Sequence, residues 1–225
     1  INPSLYTKLR YDPIKDFAPV SLMATTMNVL VVNPEVPAKN LTELIRLAKA
    51  KPGTLTYGSA GNGSSNHLSG ELLKSAASLQ INHIPYKGSA PALVDLMGGR
   101  LTMMFDTLAQ QTGNIASGKL RALAVTGPNR SPLLPEVPTA QEGGLKDFDV
   151  TIWFGVLAPA GTPSSAVDRL AREIANVMST DEMKKRMQDD GAEARPSSPA
   201  EFSALIRSDM AKWAPIVKAS GASLD

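Results

Sequence analysis

Apolar and polar positions alternate between two periodicities along the first two thirds of the chain. The run NVLVVNP, which begins at Asn28, is β-branched and is stopped by Pro34, so it predicts a short strand. Asn40 and Glu43 then occupy the positions of a capping box, which predicts a helix that extends to Ala50. The further segments predicted as strands are LTYG at 55–58, INHI at 81–84, LTMMFD at 101–106, LRALAVT at 120–126 and TIWFGVLAP at 151–159.

Helical patterns lie between these strands and dominate the last third of the chain. Leucines at helical spacing follow the glycine-rich segment after LTYG, and two shorter helices are predicted over 91–97 and 108–117. The last third predicts three helices, over 164–178, 181–190 and 199–219, with Ser164 or Ser165 and then Asp181 as the first two N-caps. The third carries one apolar stripe, which we interpret as core: Phe202, Leu205, Ile206, Met210, Trp213, Ile216 and Val217.

Strands that alternate with helices predict an α/β fold with a parallel-rich sheet, in which ligands bind at the carboxyl ends of the strands.

The composition of the chain excludes several classes of function. Lys and Arg number 23 against 21 Asp and Glu, so no strongly basic surface points to nucleic acid. With no Cys and two His, disulfides and thiolate chemistry are excluded, and we expect no metal site and no cofactor. The longest mostly apolar stretch, 20–32, is far shorter than the roughly 20 apolar residues of a membrane span.

The sharpest local feature is the segment SAGNGSS, between a predicted strand and a predicted helix. Its seven residues are Ser59, Ala60, Gly61, Asn62, Gly63, Ser64 and Ser65. Glycines let several backbone N–H groups converge beside a helix N-terminus, which is a suitable place for an anion. A P-loop would need Lys where Ser64 stands, and the dinucleotide fingerprint fails because Asn66 occupies its third glycine position. Two interpretations remain: a small carboxylate held by backbone N–H groups and the hydroxyls of Ser59, Ser64 and Ser65, or an ordinary turn with Ser64 as N-cap.

Further candidates follow other strands and are expected at the same edge of the sheet. Tyr86 and Lys87 come after INHI, and Lys87 is either an anion-attracting side chain or a solvated surface cation. Asp106 and Thr107 end the next strand, where the carboxylate either accepts from a ligand or caps the following helix. Trp153 and Phe154 would offer an apolar wall or belong to the core.

Catalysis is poorly supported by these residues. No G-x-S-x-G elbow is present, and His67, one turn into the helix after SAGNGSS, has no obvious acidic partner. We interpret His67 as a half-buried helical histidine. An α/β enzyme acting on a small carboxylate or phosphate ester stays open as an alternative.

Taken together, the motifs resemble one family along essentially the whole chain. They are NPSLYxKLxYDPxKDFAPV, VVNPxVPAK, YGSAGNGSSNHLSGEL, PYKGSAPALxDLxGG, LRALAVT, RSPLLPEVPT and WFGxLAPAGTP. This ordered set closely resembles the Bug solute receptors, the extracytoplasmic binding proteins of tripartite tricarboxylate transporters. The resemblance implies a two-lobed, periplasmic-binding-protein-like α/β fold of type II, a non-enzymatic function in the periplasm, and delivery of a small carboxylate to membrane permease subunits. A sensory receptor for a membrane kinase is a further alternative.

The resemblance also implies an assignment of lobes and sites. Residues 34–153 would form the second lobe, whose 59–65 loop grips a ligand carboxylate, and Asp106 and Thr107 would line the cleft near the distal end of the ligand. Residues 1–33 and 154–225 would form the first lobe. Family members carry a strand and an F-P-x-G-G loop ahead of the part matched here, so we expect a truncated first lobe with an exposed sheet edge and self-association through it.

Overall fold

The computed structural model describes residues 1–224 and divides them into two compact units. One unit consists of Met27–Thr151, and the other combines Ile1–Thr26 with the chain from Ile152 onward. The boundaries predicted from the sequence lie after 33 and after 153. The first boundary falls earlier because it lies inside one long strand, whose residues 28–32 pair within the Met27–Thr151 unit. A continuous run of extended residues gives no sign of such a division.

Seven strands and eight helices are present in the described residues. The strands are β1 (Phe17–Val32), β2 (Thr56–Ser59), β3 (Asn82–Pro85), β4 (Met103–Thr107), β5 (Arg121–Val125), β6 (Thr151–Pro159) and β7 (Glu193–Ala194). The helices are α1 (Asn2–Leu5), α2 (Leu41–Ala50), α3 (Ser65–Ala77), α4 (Ser89–Met97), α5 (Leu108–Ala116), α6 (Ser164–Met178), α7 (Asp181–Asp189) and α8 (Pro199–Ser220). Within residues 1–224, none of the helices combines the length and the apolar content needed to cross a membrane.

The Met27–Thr151 unit is built on a mixed sheet in the order β3-β2-β4-β1-β5. β2 runs parallel to both β3 and β4, whereas β1 is antiparallel to β4 and β5. The parallel-rich sheet expected from the sequence is therefore confirmed for β2, β3 and β4 but not for β1. Apolar side chains of β1, β4, β5 and α4 form the core of this unit, among them Val29, Val31, Met104, Val125 and Leu96.

The other unit joins the first half of β1 to β6 and β7. That half of β1 is missing from the strands predicted above, because Ser21, Thr25 and Thr26 interrupt its apolar run. The Ser21 hydroxyl donates to the carbonyl of Ser197 at 2.9 Å, and Thr26 donates to Gly191 at 2.8 Å. Partners so distant in sequence satisfy these hydroxyls, so the polar residues do not prevent a strand.

The last three helices of that unit follow the prediction closely, although the caps of α6 and α7 differ, whereas α1 was not predicted. Thr180, not Asp181, caps α7 by accepting from the N–H of Met183, and Pro163 precedes α6 without a side-chain cap. The apolar stripe of α8 is core as predicted, with Phe202, Ile206, Trp213 and Val217 buried.

Candidate functional site

Three parallel strands end at one edge of the sheet in the Met27–Thr151 unit. β2 ends at Ser59, β3 at Pro85 and β4 at Thr107, and the parallel pairings place these ends side by side. The loop 59–65, Tyr86, Lys87, Asp106 and Thr107 therefore come together in the structure. We refer to the loop 59–65 as the glycine loop.

The segment after β3 lies directly alongside the glycine loop. The N–H of Tyr86 donates to the carbonyl of Ser59 at 3.1 Å, and the N–H of Gly88 donates to that of Ala60 at 3.2 Å. Gly61 has a φ of +124°, and a Cβ there would lie 3.3 Å from the Tyr86 carbonyl oxygen. Only glycine suits both this backbone conformation and this close approach.

Ser64 is the N-cap of α3. Its hydroxyl accepts from the N–H of His67 at 3.2 Å and donates to the carbonyl of Gly61 at 2.7 Å. The structure thus supports the N-cap interpretation of Ser64, whose hydroxyl donates within the loop and accepts from the first turn of α3.

Several backbone donors of the loop and helix start remain available. Among the described residues, the N–H groups of Asn62, Ser65 and Asn66 have no hydrogen-bond acceptor, nor does the Ser65 hydroxyl make a hydrogen bond. The N–H groups at Ser65 and Asn66 belong to the first turn of α3, which also carries the partial positive charge of the helix dipole. This arrangement favours a small anion at the end of the loop.

Ser59, at the start of the glycine loop, is buried and holds the loop through its hydroxyl. Its side chain is completely buried, and its hydroxyl shares a hydrogen bond of 2.6 Å with Nε2 of His83 while accepting from the N–H of Gly61 at 3.1 Å. The hydroxyl of Ser59 is therefore occupied inside the protein, where it fixes the conformation of Gly61.

Next to the loop lies a largely buried polar cluster that sequence reasoning missed. His67 and His83 stack with ring centroids 4.2 Å apart, and Tyr57 stacks on His83 at 4.8 Å. Glu71 accepts from the Tyr57 hydroxyl at 2.6 Å and from Lys74 at 2.8 Å, and lies 4.0 Å from Nε2 of His67. The i,i+4 spacing of His67 and Glu71 is a signal that the sequence did contain.

Burial controls the ionisation of this cluster. It lowers the pKa of His67 despite the opposing charge of Glu71, and it lowers the pKa of His83 to about 4, with His67 as the second cause. Burial, together with the hydrogen bond to Glu71, raises the pKa of Tyr57 far above its ordinary value. Both histidines are therefore neutral around pH 7.

Asp106 is buried beside the start of α3 and has internal partners. It accepts from the side-chain amides of Asn66 at 3.0 Å and Gln111 at 2.6 Å. Burial raises the pKa of Asp106, although these hydrogen bonds and one from the N–H of Thr107 oppose the shift. Thr107 is half-buried and precedes α5 as its N-cap residue, without a capping side-chain hydrogen bond.

Tyr86 and Lys87 differ in their surroundings. The Tyr86 hydroxyl donates to Asp95 at 2.6 Å, which raises the pKa of Tyr86, and Asp95 also pairs with Arg100. Lys87 is exposed at the edge.

Trp153 and Phe154 belong to the other unit. The indole N–H of Trp153 donates to Asp209, and its ring meets Phe202 edge to face at a centroid distance of 5.4 Å. The Trp153 ring thus packs within its own unit, whereas Phe154 is 56% exposed.

Comparison with known proteins identifies a family for the whole chain. The family model for the tripartite tricarboxylate transporter family receptor matches residues 1–222. A UPF0065 protein from the tcbD-tcbE intergenic region of a Pseudomonas species is 39% identical over 213 residues, covering 94% of this chain and 63% of the relative. BugT of Bordetella pertussis is 35% identical over 221 residues, covering 98% of this chain and 68% of the relative. The chain therefore spans about two thirds of the length of these relatives.

Solved structures agree with this assignment. An R. palustris protein solved with adipate has a TM-score of 0.86 and 35% identity, and the match covers 99% of this chain and 74% of that one. The periplasmic binding protein BugD has a TM-score of 0.82 and 34% identity, with 98% and 75% covered. MatC from Rhodopseudomonas palustris with bound malate has a TM-score of 0.80 and 31% identity, with 95% and 74% covered.

Proposed function

We propose, because this chain belongs to the tripartite tricarboxylate transporter receptor family, that it captures a small carboxylate in the periplasm and delivers it to the membrane permease of such a transporter. The family consists of solute-binding receptors, and its solved members include periplasmic binding proteins. Two structural relatives hold the dicarboxylates adipate and malate. A dicarboxylate of similar size is the substrate class that we propose for this chain.

One observation carries the proposal: the unused N–H groups of Asn62, Ser65 and Asn66 face no acceptor at the N-terminus of α3. A carboxylate placed there would accept charge-assisted hydrogen bonds, which are shorter and stronger than neutral ones. The Ser65 hydroxyl adds a further donor. Lys87, exposed at the same edge, would attract the anion without holding it.

Asp106 has an indirect role in this proposal. Its carboxylate oxygens are engaged by Asn66 and Gln111, so it orients the start of α3 and the ligand contacts come from the loop. We propose that Thr107, half-buried beside Asp106, lines the site at its hydroxyl.

The enzyme alternative has little support from the geometry. Ser59 and His83 form a hydrogen bond, but the Ser59 side chain is completely buried and its oxygen already accepts from Gly61. A nucleophile must reach its substrate, and this hydroxyl does not. A sensory role would use the same binding step, so it differs from transport only in the membrane partner.

Calorimetric titration with adipate and malate, with the corresponding diamides as matched neutral controls, tests the proposed function. The dicarboxylates are expected to bind and the diamides to bind at least about 100-fold more weakly, because the amides lack the charge that the helix N-terminus favours. Ligand at about 100 times its dissociation constant should also stabilise the fold by roughly 2.7 kcal/mol. Equal binding of acids and amides would contradict a carboxylate receptor.

We also propose that this chain associates with a second copy through β6. In its own unit β6 pairs only with β1 among the described residues, and Phe154 and Leu157 are 56% and 40% exposed on it. A long unpaired edge with apolar side chains favours strand pairing with another chain. Sedimentation velocity should detect a dimer that Phe154→Lys converts to monomer, whereas Lys87→Ala should leave it unchanged. A wild-type monomer at all concentrations would overturn this proposal.

A further inference from the structure

The only two histidines of the chain lie together under the glycine loop, although they come from different elements. His67 belongs to α3 and His83 to β3. The proposed carboxylate would be held by backbone N–H groups and the Ser65 hydroxyl, so it requires no hydrogen-bond donor from either histidine ring. His67 is also only 2% exposed. Both rings nevertheless connect to glycines of the loop.

His67 holds Gly63 directly. The N–H of Gly63 donates to Nδ1 of His67 at 3.1 Å. A ring nitrogen that accepts a hydrogen bond carries a lone pair, so the proton of neutral His67 resides on Nε2, which faces Glu71 at 4.0 Å. Protonation of Nδ1 would set two donors against each other at Gly63.

His83 holds Gly61 through a serine. Nε2 of His83 shares its hydrogen bond with the Ser59 hydroxyl, whose oxygen accepts from the N–H of Gly61. The two inner N–H groups of the loop, at Gly61 and Gly63, are thus turned toward the protein. The outer donors at Asn62, Ser65 and Asn66 are left for a ligand.

The surroundings favour the neutral form of both rings. The charged groups that face them come from α3, where Glu71 is already paired with Lys74 at 2.8 Å. From β2 the facing groups are Tyr57, whose hydroxyl donates to Glu71, and the neutral Ser59. Burial lowers the pKa of each histidine, and a positive charge on one ring disfavours a positive charge on the other.

We propose that His67 and His83 are positioning residues of the carboxylate site: neutral His67 accepts from the N–H of Gly63, and His83, through its hydrogen bond with Ser59, holds the hydroxyl that accepts from the N–H of Gly61, so that the outer donors are left to the ligand. This inference rests on the proposed function for its role in binding. The conformation of the loop, however, is measurable without any ligand.

The stability that the neutral histidines contribute should decrease at low pH. Because the pKa of His83 is about 4 in the folded protein against 6.5 unperturbed, the unfolded chain binds protons more readily. The contribution of neutral His83 to the free energy of unfolding is therefore fully present above about pH 6.5. It decreases as the pH falls from there toward the folded pKa. Burial also lowers the pKa of His67, whose Nδ1 accepts from the N–H of Gly63, so protection of the Gly63 amide against hydrogen exchange should fall as the pH drops below about 6.5 and His67 becomes protonated.

Two variants of one residue separate the hydrogen-bond acceptor from mere packing. His67→Asn keeps an oxygen close to the place of Nδ1 but does not titrate, whereas His67→Leu fills the space without an acceptor. At pH 7.5 the Gly63 amide should stay protected in wild type and His67→Asn, and exchange about 10-fold faster in His67→Leu. In His67→Asn this protection should also become much less dependent on pH.

Binding of adipate and malate supplies the second measurement. His67→Leu should weaken it about 10-fold, and His67→Asn less than about 3-fold. Equal Gly63 exchange in all three proteins would overturn the positioning role, whether or not any ligand binds. If Gly63 follows the expected order but no dicarboxylate binds to wild type, the proposed function fails while the control of the loop by His67 stands.

Discussion

Gly61→Val is expected to reduce dicarboxylate affinity at least about 100-fold, equivalent to about 2.7 kcal/mol, and to leave the protein folded. The φ of +124° at Gly61 is rarely adopted by a residue with a side chain, and the new Cβ would press against the Tyr86 carbonyl, 3.3 Å away. Relief of that contact would move the Gly61 N–H away from Ser59 and disturb the neighbouring Asn62 donor. Calorimetry with adipate measures the loss, and circular dichroism checks the fold.

Gly144→Val provides the matched control for this prediction. Gly144 has a φ of +99°, but a Cβ there would meet nothing within 4 Å. This variant carries similar backbone strain outside the glycine loop, so its affinity for adipate should equal that of wild type. If both variants bind adipate as tightly as wild type, the loop is not the binding site.

Gly70→Ala is expected to lower the free energy of unfolding by about 2–3 kcal/mol, because the methyl group of the new alanine has no space between α3 and the Tyr57 ring. The Cβ would lie 2.2 Å from Cε2 of Tyr57. Tyr57 cannot move away easily, since its hydroxyl is held by Glu71 and its ring stacks on His83. For a chain of this size we expect Tm to fall by roughly 5–10 °C in a thermal melt.

Gly113→Ala is the control for that substitution. Gly113 also lies inside a helix, α5, but a Cβ at this position would meet nothing within 4 Å. Removal of a helical glycine should therefore raise the free energy of unfolding by about 0.5–1 kcal/mol. A similar loss in both variants would mean that Gly70→Ala acts through its helix and not through Tyr57.

Local signals in the sequence predicted much of the Met27–Thr151 unit. Asn40 accepts from the N–H of Glu43 at the start of α2, as its spacing indicated, and the strand-loop-helix order placed the glycine loop between β2 and α3. These features depend on neighbouring residues alone. Sequence patterning therefore suffices for them.

Features that depend on distant partners were not accessible in the same way. The first half of β1 has its hydroxyls satisfied by Ser197 and Gly191, which lie far along the chain. The antiparallel direction of β1 relative to β4 likewise depends on tertiary pairing. Polar residues alone cannot disclose whether such partners exist.

The sequence predicted where the candidate site lies, but it predicted the roles of the individual side chains less well. Its loop and strand ends follow from topology, since parallel strands end at one edge. The burial of Ser59 and the stacking of His67 on His83 follow only from the packing of α3 against β2 and β3. The sequence of a glycine-rich loop does not distinguish a serine that faces a ligand from one that is buried against a histidine.

Amide chemical shifts recorded by NMR during titration with adipate test the proposed carboxylate site most directly. We expect the largest changes at the N–H groups of Asn62, Ser65 and Asn66, with smaller changes at Gly61 and Gly63, whose donors are already engaged. The amino ends of β2 and β4 offer a cavity of about 450 Å³, lined by residues that include Lys51 and Thr102. Largest changes around that cavity, with a silent glycine loop, would contradict the assignment of the carboxylate site to the loop.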